Sequence, residues 1–164
     1  MIKGEGDIAQ VLREIDRPDR LFFASGVSNS RETRESEYER EVRTLLSQDR
    51  RQHLVYFGSL SVFYADGRYQ QHKKNMERIV KDLPSHTIVR LGNIDWGDNP
   101  NTLINSLRAK KARGETLEIQ DTYRYIVNKD EFLYWVSLIP DWNCEMNIPG
   151  QRMKVSEVVE KYVK

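Results

Sequence analysis

The sequence predicts an α/β fold with a parallel sheet flanked by helices. Two observations carry this. Short apolar runs recur along the first two thirds of the chain, and stretches with apolar residues on one helical face separate them. Runs that are apolar throughout are the pattern of strands buried on both faces, and alternation of such strands with helices implies βαβ units with right-handed crossovers.

The first run is Leu21, Phe22, Phe23 and Ala24. A helix follows over 35–46, with Tyr38, Val42, Leu45 and Leu46 on one face. Leu54, Val55, Tyr56 and Phe57 form the second strand. A helix over 69–81 packs through Met76, Ile79 and Val80. The third strand is 87–91, and the third helix is 101–112. The last third is less regular. Short strands are expected at 117–119 and 125–127. Asn128, with Glu131 three positions on, is placed to start a helix that runs to Ile139 with Phe132, Trp135 and Val136 on its face. A final strand near Met146, Asn147 and Ile148 leads to a helix whose first turn holds Ser156. No linker-like segment and no repeat divides the chain, so residues 1–164 read as one domain. A larger core spans about 1–100, and a smaller portion spans about 101–164.

Composition narrows the function classes. Hydrophobic residues make up 38% and charged residues 31%, a globular balance. No apolar stretch approaches the roughly 20 residues of a membrane span, and the opening MIKGEGDIAQ has no signal-like apolar run. A soluble cytoplasmic protein with no membrane partner is expected. The 26 basic and 25 acidic residues leave a net charge of +1, which argues against a general nucleic-acid binder. The basic run 108–113 reads as a solvated helix face. Cys144 stands alone, and His53, His72 and His86 are widely spaced, so no metal site is expected.

One constellation carries chemistry. The second strand ends in Gly58, Ser59, Leu60 and Ser61, and Tyr69 and Lys73 follow at the start of a helix. Four residues apart, Tyr69 and Lys73 share a helical face. An ammonium beside a phenol favours the phenolate, which suits it to exchange a proton with a substrate hydroxyl. Ser59 stands at the carboxyl edge of the sheet, where sites of parallel α/β folds form.

This pattern resembles the catalytic apparatus of the short-chain dehydrogenase/reductase superfamily. Further segments resemble its extended, epimerase/dehydratase-like branch. LVYFGSLSVF at 54–63 resembles that branch's strand-plus-serine segment and selects Ser59, four residues before an aromatic, over Ser61. Arg90, Gly92 and Asn93, with Trp96 and Gly97 beyond, resemble its R-x-x-N-x-x-G segment with one extra residue before the glycine. TYRYIV at 122–127, followed by Asp130, resembles a nucleotide-sugar contact segment. Ala24, Ser25 and Gly26 resemble the strand end beneath the cofactor.

The resemblance implies a Rossmann-like domain, reduced in strand number, that uses NAD or NADP on a sugar or nucleotide-sugar. It makes Ser59, Tyr69 and Lys73 catalytic, with Tyr69 and Lys73 also at the cofactor. Gly4, Gly6, Asp7, Ile8, Ala24, Ser25 and Gly26 are its implied cofactor contacts. Ser61, Asn93, Asn99, Asn101 and Arg124 are the implied substrate contacts. Homodimerisation through the helices at 35–46 and 69–82 is also implied, with Tyr38, Val42 and Met76 divided between core and interface.

Two departures stand against this. Only Met1, Ile2 and Lys3 precede the glycine turn GEGDIA, too few for a full first strand. Only DRPDR at 16–20 separates the next helix from the strand at 21–24, so the strand that reads the adenosine ribose is missing. The alternative is therefore a relative that has lost dinucleotide binding and serves as a binding or interaction module. In that case the sheet edge at 21–24 needs a cover.

Overall fold

The computed structural model describes residues 1–164. Its main sheet has five parallel strands. They are β1 (Ile2–Lys3), β2 (Arg20–Phe23), β3 (His53–Ser59), β4 (His86–Leu91) and, later in the chain, β7 (Cys144–Ile148), in spatial order β1-β2-β3-β4-β7. Between them run α1 (Asp7–Leu12), α2 (Glu35–Leu46) and α3 (Arg68–Lys81).

The strand residues divide alternately between two cores, the period of a strand buried on both faces. Phe22, Val55, Phe57 and Val89 pack on one face with Val11 and Leu12 of α1 and with Phe132 and Val136 of α5 (Lys129–Ser137). Leu21, Phe23, Leu54, Tyr56 and Ile88 pack on the other with Leu45 of α2 and with Met76 and Val80 of α3. A smaller three-stranded sheet joins β5 (Asn93–Ile94), β6 (Tyr123–Val127) and β8 (Gln151–Lys154), with α4 (Leu103–Ala112) and α6 (Val155–Val158) over its own apolar cluster. β7 carries the C-terminal portion back into the main sheet, pairing with β4 from Thr87↔Cys144 to Leu91↔Ile148.

The architecture is the α/β fold that the sequence predicts, with few strands. Several local expectations change. Residues 117–119 form no strand: no neighbouring strand offers them partners, and Ile119 is half exposed. β8 is an element the apolar pattern did not signal, because only Met153 of QRMK is buried. The third helix starts two residues later than 101, at Leu103, because the Thr102 hydroxyl accepts the Asn105 N–H and caps it there. Asn128 does cap α5, its Oδ1 accepting from Glu131 N at 2.8 Å. The edge at 21–24 is covered by β1, with Phe22 N donating to Met1 O and Ala24 N to Lys3 O, both at 2.8 Å.

The basic run on α4 is a solvated face, with Arg108, Lys111 and Arg113 exposed. Arg108 Nε and Lys111 Nζ donate to the carbonyls of Tyr162 and Val163 at 2.8 and 3.0 Å, satisfying the open end of the last helical turn. Tyr38 and Met76 are buried in the protomer, so neither is available to a dimer interface. No helix is long and apolar enough to cross a membrane.

Candidate active site

Strands β2, β3 and β4 run parallel, so their carboxyl ends at Phe23, Ser59 and Leu91 share one edge. A cleft of about 800 Å3 opens along it. That edge is where parallel α/β folds bind ligands. The glycine turn and first helix contribute Gly6, Asp7 and Ile8 to its lining, and the end of β2 contributes Ala24, Ser25 and Gly26. Ser59, Ser61, Tyr69 and Lys73 line it from β3 and α3. From the smaller sheet and its loops come Asn93, Asn99, Asn101 and Arg124. Of the implied catalytic, cofactor and substrate residues, Gly4 alone lies outside the lining. It has φ +134°, and a Cβ there would stand 2.3 Å from Ala24 O, so its place in the fold is the close approach of β1 to β2.

Tyr69 and Lys73 lie on one face of α3, with the Lys73 ammonium 5.4 Å from the Tyr69 ring centroid. Ser59 Oγ is 2.8 Å from Ser61 Oγ and accepts from Ser61 N at 3.1 Å. Gln70 joins this pair to the start of α3: its Nε2 donates to Ser61 Oγ at 3.1 Å, and its Oε1 accepts the Gly67 N–H at 2.9 Å. Ser59 and α3 are thus positioned through a chain of polar contacts.

Beneath Tyr69 lies a buried charge. The Glu41 carboxylate of α2 is fully buried and accepts from four groups. Lys73 Nζ reaches its two oxygens at 3.1 and 3.2 Å. Tyr56 Oη, His72 Nε2 and Val27 N each contact it at 2.8 Å. Burial alone would raise the Glu41 pKa, but the Lys73 charge and the donors from His72 and Val27 outweigh it and hold the group at about 2. For Lys73, burial pulls the ammonium down and the Glu41 carboxylate more than restores it, so the net direction is up. Tyr56 is pushed well above the usual phenol value by burial and by Glu41.

Asp7 has a different place from a simple cofactor contact. Its Oδ1 accepts from Asp98 N at 3.1 Å and its Oδ2 from Asn99 N at 3.0 Å. Trp96 Nε1 donates to Asp7 O at 3.3 Å, and Asn99 Nδ2 donates to Ser28 Oγ at 3.0 Å. Gly97 has φ +88°, and a Cβ there would fall 2.1 Å from Asp7 Cγ, so the glycine is required for this contact. The loop after β5 is therefore latched onto the glycine-turn side of the cleft. Asn93 Nδ2 donates to Tyr125 O at 3.1 Å, and Arg124 Nη1 to Tyr123 O at 3.0 Å.

Glu41 and Gln70 were not singled out in the sequence. Glu41 had one signal, a carboxylate on the same helical stripe as Tyr38, Val42 and Leu45. Gln70 follows Gly67 at the three-residue spacing of a helix-start contact.

A parallel sheet covered on both faces, with a polar cleft across its carboxyl edge, defines the Rossmann-like class of α/β domain. Solved structures that share the fold include a UDP-galactose 4-epimerase and a dTDP-4-dehydrorhamnose reductase in complex with NADP. The chain is similar to the Bordetella bronchiseptica enzyme WbmH in complex with NAD+, with a TM-score of 0.69 at 14% identity, covering 94% of this chain and 62% of that one. It is similar to WbmG of the same organism in complex with NAD, with a TM-score of 0.66 at 15% identity, covering 94% of this chain and 60% of that one. The dTDP-glucose 4,6-dehydratase of Bacillus anthracis in complex with NAD gives a TM-score of 0.63 at 15% identity, covering 95% of this chain and 59% of that one. The chain therefore shares the Rossmann-like α/β fold of these structures with a reduced number of strands, and it spans about 60% of the length of WbmG. No family model and no curated protein matches it in sequence.

Proposed function

We propose that the chain is a cytoplasmic enzyme that binds NAD or NADP and oxidises, reduces or epimerises a sugar carbon on a nucleotide-linked sugar, with residues 1–164 working as one unit. The observation that carries this reading is the shared cleft, in which the glycine turn faces the same space as Ser59, Tyr69 and Lys73. The residues fit the nicotinamide-ribose half of a dinucleotide. Hydroxyls of Ser59, Ser61 and Tyr69 line the cleft beside the bare backbone of Gly26, where a Cβ would meet Lys73 Nζ at 2.8 Å. No strand lies outside β1 to read the adenosine ribose. Each missing polar contact there costs on the order of 1–3 kcal/mol.

When bound, the dinucleotide supplies hydride exchange at the sugar carbon. Tyr69 Oη takes or returns the proton of the sugar hydroxyl, and Ser59 Oγ hydrogen-bonds the same oxygen. Lys73 keeps a positive charge beside the Tyr69 ring. Of the residues that line the cleft, Gly6, Ile8 and the backbone of Ala24, Ser25 and Gly26 would hold the dinucleotide, while Asn93, Asn99, Asn101 and Arg124 would hold the sugar and its phosphates.

Titration calorimetry with NADH and NADPH, followed by turnover of UDP- and dTDP-sugars, tests this. Binding in the micromolar to millimolar range, with turnover lost in Tyr69→Phe and binding kept, is expected. Absence of heat with both dinucleotides at millimolar concentration overturns it.

The second reading, a binding module that has lost dinucleotide chemistry, is favoured by one pair of observations. The Asp7 carboxylate and the Lys73 ammonium are both engaged by partners within the protein. A Tyr69→Phe variant that leaves every measured activity intact selects it. Homodimerisation through α2 and α3 would bring charged faces together, since Glu39, Arg43, Lys74 and Arg78 are exposed there. Light scattering on the purified protein decides between monomer and dimer.

A further inference from the structure

The group that the proposed chemistry leaves unused is Glu41, a fully buried carboxylate on α2 rather than on the strands or helix that carry Ser59, Tyr69 and Lys73. Its four donors come from three different parts of the fold. Val27 N belongs to the loop after β2, Tyr56 Oη to β3, and His72 Nε2 and Lys73 Nζ to α3. The Lys73 side chain alone could turn toward the cleft or toward the core. With Glu41 beneath it, the ammonium is held between the carboxylate and the rings of Tyr69 and Tyr56, at 5.4 and 5.7 Å from their centroids. Gly26 lets the loop backbone close over this pair: a Cβ there would stand 2.8 Å from Lys73 Nζ and 3.0 Å from Glu41 Oε1.

We propose that Glu41 is a positioning residue, which fixes the Lys73 ammonium under Tyr69, balances its charge, and pins the loop at Gly26 and Val27 to the cleft floor. Lys73 is then a cation of fixed place, with nearly all of its surface withdrawn from solvent. The charged and titratable groups around it are Glu41 and Arg40 on α2, Tyr56 on β3, and Tyr69 and His72 on α3. Glu41 is the one carboxylate among them. Neutralising Glu41 therefore leaves the ammonium buried without a counter-charge, and it must move to water in the cleft or lose its proton.

The test is the side-chain 15N resonance of Lys73 in the intact protein, assigned by its loss in Lys73→Arg. Wild-type protein is expected to give a slowly exchanging ammonium signal at neutral pH, because water does not reach the group. In Glu41→Gln that signal disappears, and Lys73 reacts with acetic anhydride at least about tenfold faster, the change expected for a shift of one pK unit or more in its environment. Glu41→Asp, which keeps the charge, restores protection in part. A folded Glu41→Gln protein whose Lys73 signal and labelling rate match the wild type overturns the proposal. If Glu41→Gln does not fold, Glu41→Asp and wild type still decide: an unprotected Lys73 ammonium in wild type overturns it, and a protected one that weakens in Glu41→Asp supports it.

What the fixed ammonium serves rests on the dinucleotide reading, and a separate titration with NADH addresses it. Weaker binding in both Lys73→Met and Glu41→Gln, with no further loss in the double variant, ties Glu41 to the ligand through Lys73. If wild type binds no dinucleotide while the protected Lys73 signal is present, the dinucleotide reading fails and the positioning role stands.

Discussion

The wall of the cleft formed by α2, β3 and α3 buries an ionised hub, whereas the wall formed by β1 and α1 joins the sheet through a two-residue strand and packs on the core through apolar Val11 and Leu12. On the first wall, Glu41, Lys73, His72 and Tyr56 satisfy one another away from water. Arg90 of the adjoining β4 adds a second buried pairing to α3, reaching Glu77 at 2.8 Å through both Nε and Nη2. On the second wall, β1 meets β2 only at Ile2↔Phe22 and Lys3↔Phe23. Polar networks inside a protein are expensive to leave half satisfied, so the first wall holds its geometry strictly. The second has no buried ion pair to satisfy, and no strand lies outside it to contact an adenosine ribose.

The sharpest way to break this contrast is Glu41→Ala. Removing one partner of a buried pair leaves Lys73 uncompensated and is expected to cost about 3–5 kcal/mol in denaturant unfolding. A loss under about 1 kcal/mol, the scale of an exposed ion pair, would mean the hub is not dry. The same carboxylate also predicts acid sensitivity. Its folded pKa of about 2 lies below its ordinary 4.5, so its contribution is present above pH 4.5 and is lost as pH falls toward 2. A Glu41→Gln protein should show a flatter stability profile across that window.

On the thin wall, Gly4→Ala forces a side chain into the positive-φ turn against Ala24 O. Strain of about 1–3 kcal/mol is expected, read as lower melting temperature together with faster amide exchange at Phe22 and Ala24. Unchanged exchange there would show that β1 tolerates the displacement. The smallest effect is expected from Asp7→Ala. It removes the acceptor for two loop amides at about 1 kcal/mol of net hydrogen bonding, and Asp98 and Asn99 should exchange several-fold faster while global stability barely moves.

The same contrast explains what was legible in the sequence. Leu54, Val55, Tyr56 and Phe57 announce a strand because helices cover both faces of it. β8 announces nothing, since its place depends on antiparallel pairing with β6 and only Met153 turns inward. Leu117 and Ile119 have the opposite history, with a strand-like pattern and no partner. Within the cleft, the Tyr69 and Lys73 spacing is local and could be read directly. The tie between Asp7 and the loop at Gly97 joins residues far apart in the chain and depends on a backbone angle, which no residue pattern near Asp7 signals. Glu41 lay on an apolar stripe, but a single acidic residue there does not name the cation it will meet.

The packing of Trp96 has a practical consequence. Its indole sits 5.3 Å from the Phe132 ring and is tied to Asp7, while Trp135 and Trp142 are 42% and 70% exposed. Iodide should quench the emission of the two outer indoles preferentially, leaving a shielded component dominated by Trp96. That residual light is a built-in gauge of whether the loop is seated, readable in a cuvette without a label.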